Sequence, residues 1–117
     1  MDPNPLPSYV YKIVPSAPPE QFPAEYPLSN LDRNDGFVHL STGTQVPLTA
    51  DRFFSAISKL WLIKFELAKF ADPIKWEGGF PHLYGNFGAK DVHSVQKFER
   101  AENLSWAESM GASSWLE

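Results

Sequence analysis

The chain has 117 residues, a formal net charge of -4 and no cysteine. That length suits one domain of about 100–150 residues, and 43% apolar residues with 15% aromatic ones supply a core that a disordered chain lacks. Without cysteine, thiolate catalysis, disulfides and thiolate metal sites are excluded, and an acidic balance with no Lys/Arg run argues against a nucleic-acid partner.

Met1 to Pro5 lacks the basic start and apolar centre of a signal peptide. The longest mainly apolar stretch, Leu60 to Phe65, contains Lys64 and falls far short of the ~20 residues that span a bilayer. The expectation is a soluble, cytoplasmic single domain over 1–117, with a core at about 9–98 and terminal extensions at 1–8 and 99–117.

Tyr9 to Val14 is β-branched and aromatic and stops at Pro15, which predicts a first strand. Its alternation puts Tyr9, Tyr11 and Ile13 on one face and Val10, Lys12 and Val14 on the other. Residues 15–27 hold five prolines, which predicts a surface connection, because an interior proline costs a helix about 3 kcal/mol. Asp32 to Gly36 reads as a turn cluster in which Gly36 supplies a positive φ. It delivers the chain into a strand at Phe37 to Ser41, with Phe37, His39 and Ser41 sharing a face.

Thr44 to Ile57 predicts the main helix, with Pro47 in its first turn and Phe53, Phe54 and Ile57 as its apolar cluster. Leu60 to Leu67 is the clearest strand, since Trp61, Ile63, Phe65 and Leu67 alternate with Leu62, Lys64 and Glu66. Short strands follow at Ile74 to Glu77, Phe80 to Phe87 and Val92 to Phe98. Ser105 and Glu108 have capping-box spacing, which predicts a short last helix carrying Trp106 and Met110, with Trp115 beyond it in the core. The mixture is an α+β domain with an antiparallel or mixed sheet.

The three histidines, His39, His82 and His93, have no metal-motif spacing, so no metal is expected. His93 reads as an exposed residue without a role. The chain also lacks a phosphate loop and a nucleophile elbow. A polar set among aromatics remains. His39 and Ser41 come from one strand, with Thr42 beside them, and His82 and Tyr84 from another. If those faces meet, the four line one cleft, joined by Gln45 and Arg52 from the helix and by Trp76 and Glu77 from a strand end. Imidazoles exchange protons near neutral pH. Arginine clamps phosphate, Tyr84 and Trp76 offer stacking surfaces, and Glu77 can act as a base. Such a site suits a small-molecule ligand. The residues leave open an enzyme, a binding module, or a domain whose histidines only satisfy buried polar groups.

These residues also carry a resemblance. Tyr9-Val10-Tyr11-Lys12, Asp35-Gly36-Phe37-Val38-His39-Leu40-Ser41-Thr42, Gln45, Arg52-Phe53-Phe54, Trp76-Glu77 and Phe80-Pro81-His82-Leu83-Tyr84-Gly85 follow one another in this order. The series resembles the domain of unknown function 952 family over about residues 9–98. That family is similar to the ADP-ribosyltransferase fold, in which two small sheets split and hold NAD. The resemblance implies a split sheet with one main helix and NAD as a possible substrate. It also implies ribosyl or phosphoryl transfer, with His39 as the ribose-contacting histidine and Ser41 as the hydroxyl beside it. His82 then presents the later strand's polar residue, and Glu77 is the nearest carboxylate to it in sequence.

Overall fold

The computed structural model describes residues 2–117. Strand β1 (Tyr9–Val14) and strand β4 (Lys59–Glu66) form the middle of a four-stranded sheet, flanked by β3 (Ser41–Thr42) and β7 (Val92–Glu99) in the order β3-β1-β4-β7. A separate three-stranded sheet has the order β2-β6-β5, from β2 (Val38–His39), β5 (Ile74–Glu77) and β6 (Phe80–Leu83). Every strand pairing is antiparallel. The architecture is therefore α+β with two antiparallel sheets, and the mixed alternative drops out.

Two apolar clusters explain the layering. Val10, Val14, Ile63 and Phe65 of the large sheet meet Val38, Leu83 and Trp76 of the small sheet, with Leu40 and Phe87 between them. On the opposite face of the large sheet, Tyr11, Leu60, Leu62 and Phe98 pack under two helices. These are α2 (Val46–Phe54) and α3 (Trp106–Met110), which contribute Val46, Ala50, Trp106 and Met110. The inner strands are thus covered on both sides, which is why β4 reads as an almost continuous apolar run. Each fully buried large side chain contributes about 1.5–3 kcal/mol.

The small sheet has one covered face and one open one. Val38, Leu83 and Trp76 point into the inter-sheet core, so strand alternation turns His39, His82 and Glu77 to the other side.

Several boundaries differ from the sequence reading. The turn cluster is a short helix, α1 (Asn30–Asp35), because the Ser29 hydroxyl accepts from the Asp32 amide and Gly36 closes the end at φ 82°. The single strand at Phe37 to Ser41 is two strands in two sheets. Leu40 is buried between them, its amide donates to the Pro81 carbonyl at 3.2 Å, and the next residue pairs with Tyr11 of β1. The main helix is shorter than Thr44 to Ile57, and Phe53 is 66% exposed rather than part of its apolar cluster. The β6 strand ends at Leu83, and Tyr84 instead donates its amide to the Pro73 carbonyl at 2.9 Å. Residues 15–27 contain no helix, as expected, and are anchored by Tyr26, whose ring stacks on Phe87 at 4.7 Å. The capping box of α3 is present, Trp106 and Met110 are buried, and Trp115 packs on the same cluster.

Candidate functional site

His39 and His82 are direct partners across the β2–β6 ladder. Their rings lie 5.5 Å apart, edge to face. Phe37, just before β2, covers both: its ring stacks on His82 at 4.1 Å and lies 4.6 Å from His39. The imidazoles are therefore partly shielded on an otherwise open sheet face.

Each histidine has its own carboxylates. Asp32 on α1 is 1% exposed and bonds His39 twice, at the backbone amide (3.1 Å) and at ring Nδ1 (2.6 Å). Its other oxygen meets Lys12 Nζ at 2.8 Å. Burial pushes the Asp32 carboxyl upward, but the Lys12 charge and the bonds from Lys12 and His39 outweigh it and hold it below the usual carboxylate range. Asp35, one turn later on α1, meets His39 Nε2 at 2.9 Å and is itself 41% exposed. Both nitrogens of His39 thus face carboxylates.

His82 is held from one side only. Its Nδ1 lies 2.8 Å from Glu77 Oε1, and Tyr84 donates its hydroxyl to the same oxygen at 2.7 Å. These two bonds, from His82 first and then Tyr84, lower the Glu77 carboxyl, and the same carboxylate raises the Tyr84 phenol. Among the described residues, His82 Nε2 has no hydrogen-bond partner. Lys75, the residue opposite His82 on β5, lies over the Tyr84 ring at 4.5 Å.

The structure brings His39, His82, Glu77 and Tyr84 together. The others are placed elsewhere. Ser41 belongs to the large sheet and is buried opposite Tyr11, so it shares no face with His39. Thr42 and Gln45 form a clamp: the Gln45 amide oxygen accepts from Thr42 N at 2.9 Å, and its Nε2 donates to the Gly79 carbonyl at 2.7 Å. They line a shallow groove of about 390 Å³ with Trp76, which faces the core side of the small sheet. Arg52 is exposed over the Phe53 ring at 5.3 Å, and no hydrogen bond or ion pair ties it to either histidine among the described residues. Helix α2 packs on the face of the large sheet that points away from the small sheet, so Arg52 is kept from the histidines by topology. His93 is exposed, as expected. Among the described residues no cluster of three His, Asp or Glu side chains is arranged to hold a metal, and no helix is long and apolar enough to cross a membrane.

Sequence reasoning missed Asp32, Asp35, Lys12, Phe37 and Lys75. The Ser29–Asp32 cap and the four-residue spacing from Asp35 to His39 were the available signals.

The comparisons agree with this architecture. The crystal structure of protein CC0527 from Caulobacter crescentus is similar at a TM-score of 0.68 and 27% identity, over 90% of this chain and 99% of that one. The solution structure of the same protein gives a TM-score of 0.68 and 26% identity, over 92% and 98%. No curated protein matches. The family model described as "Protein of unknown function (DUF952)" matches residues 14–95, and the chain belongs to that family.

Proposed function

We propose that the histidine face of the small sheet binds a nucleotide or ribosyl-phosphate ligand and transfers its ribosyl or phosphoryl group. The observation that carries this is the one-sided engagement of His82. Glu77 holds Nδ1 at 2.8 Å, and Nε2 is left to act. A carboxylate behind an imidazole sets its tautomer and orientation and makes the far nitrogen a better base.

With an NAD-type ribosyl donor as substrate, His82 Nε2 takes the proton of the attacking hydroxyl. That oxygen bonds to the ribose C1′, the bond from C1′ to nitrogen breaks, and nicotinamide leaves neutral. His39 offers Nε2 to a ribose hydroxyl or phosphate oxygen once the exposed Asp35 swings aside. Lys75 replaces Arg52 as the cation for a phosphate, because it sits opposite His82. Tyr84 acts through Glu77 and is a positioning residue. Two separately bonded antiparallel sheets, with the early histidine on the smaller, are what supports a relation to the ADP-ribosyltransferase fold; the space between them is filled by the apolar core, so the ligand is placed on the outer face of the small sheet and not between the sheets.

One observation favours a second reading, a binding module without turnover. The Glu77 carboxylate is committed to His82 and Tyr84, so it does not present itself to a ligand. The test is a panel of NAD, ADP-ribose and simple nucleotides, read by thermal shift and nicotinamide release on wild type and His82→Ala. A ligand at about 100 times its Kd stabilises by roughly 2.7 kcal/mol. Stabilisation with release that His82→Ala abolishes supports transfer. Stabilisation alone supports the module, and a flat panel sinks both.

A further inference from the structure

The geometry points to a second ligand site, on the helix-covered face of the four-stranded sheet, that accepts a small aromatic carboxylate and is filled in this structure by residues 113–117. It is independent of the histidine face.

The site is built around Lys64, in the middle of β4 and only 2% exposed. A buried ammonium is costly unless it is paired and hydrogen-bonded. Lys64 donates to the Trp115 carbonyl at 2.9 Å and to the Glu117 carboxylate, and it also interacts with the Tyr11 hydroxyl beside it. Tyr11, opposite Lys64 in the ladder, donates its hydroxyl to the Trp115 carbonyl at 3.0 Å and accepts from the Glu117 amide at 2.7 Å. The ammonium also lies 4.3 Å from the Tyr9 ring and 5.2 Å from the Trp115 ring. Trp115 sets its indole edge-on to Tyr11 at 5.4 Å and donates its N–H to Ser94 Oγ at 3.2 Å. Gly43 completes the seat, since a side chain there would collide with the backbone of Glu117.

The segment therefore offers the sheet a flat ring, a ring N–H and oxygens for a cation. An indole acid offers the same three features in one small molecule. The sheet's side of the contact is paired strand, whereas residues 113–117 lie outside the helices and strands and the Glu117 side chain is half-exposed. A strand that only needed filling would take an apolar residue at position 64. The lysine makes the site selective for an anion. The segment is an internal competitor, so a free ligand binds with an affinity reduced by the fraction of chains in which the segment is displaced.

The test uses the full chain and 3-indolepropionate, followed through the Trp115 indole N–H resonance. Saturable movement of that resonance is expected. Glu117→Gln should bind roughly tenfold tighter, because the segment loses its charge-assisted bond and opens more often. Lys64→Met should not bind. Should Lys64→Met fail to fold, Ser94→Ala takes its place: it takes the same bond from Trp115 and from the indole acid, so it should leave the indole acid about unchanged and tighten 3-phenylpropionate, which has no ring N–H. No saturable shift in wild type and Glu117→Gln, equal affinity in Lys64→Met, or the same change for both acids in Ser94→Ala would overturn the proposal and leave the segment as a structural latch.

Discussion

His82 and His39 stand side by side but are engaged differently, and single substitutions should separate their roles. Removing the His82 imidazole should abolish group transfer while leaving ligand binding within a few-fold, and Glu77→Gln should lower kcat by about 10- to 100-fold at nearly unchanged KM, as loss of an orienting partner does; single-turnover kinetics distinguish the two. Asp35→Asn removes the anion at His39 Nε2, so a phosphate-bearing ligand should bind more tightly, measured calorimetrically with ADP-ribose. Weaker binding instead would mean that Asp35 contacts the ligand. Asp32 has a structural task. Asp32→Asn leaves Lys12 buried without its partner, a loss of about 3–5 kcal/mol that should lower Tm by more than about 10 °C. The sign with pH follows from the depressed carboxyl: its contribution is complete above the ordinary carboxylate range and disappears as pH falls through the lowered value. Urea midpoints measured from about pH 7 down to pH 3 should therefore fall in wild type by an increment that Asp32→Asn lacks.

Helix α1 carries both aspartates, so its ends control the site. Ser29→Ala removes the bond to the Asp32 amide and should cost about 1 kcal/mol, read by chemical denaturation. Gly36→Ala forces a Cβ into the left-handed region at φ 82° and should cost a similar amount, about 1 kcal/mol. Both should also weaken ligand binding at His39, since they loosen the residues that hold it. This element was the least legible in the sequence. Six residues of Asn, Asp, Arg and Leu have turn composition, and what makes them helical is tertiary: Asp32 reaches Lys12 on β1 and His39 on β2. By contrast β1, β4 and β7 were readable, because period-two alternation survives whichever way the sheet packs. The break at Leu40 was unreadable, since Val38, Leu40 and Ser41 are all buried and only the long-range pairing decides which sheet each residue joins.

At the scale of the molecule, a side chain near the start of α2 ties the two sheets together. Gln45, just before α2, bonds Thr42 of β3 in the large sheet and Gly79 in the hairpin of the small one. Gln45→Ala should cost about 1 kcal/mol of stability and raise hydrogen exchange at the β5–β6 hairpin more than elsewhere. Arg52 and Phe53 lie exposed on α2, and Phe53→Ser should leave stability within about 0.5 kcal/mol. The candidate site was legible as a set of residues but not as a cleft, because pairing His39 with His82 placed both on the outside of the small sheet. The Leu40 crossing also bears on how the chain tolerates changes in length. A single residue, fully committed to both sheets, separates His39 from Ser41. One inserted residue there would turn Ser41 and Thr42 over to the wrong face or pull His39 out of register with His82. The proline-rich run is tied down from Phe22 onward, but residues 15–21 bear no strand pairing and can lengthen freely. Insertions should therefore be tolerated at residues 15–21 and rejected between positions 38 and 42, a contrast that a scanning library of one-residue insertions, selected for folded protein, would expose.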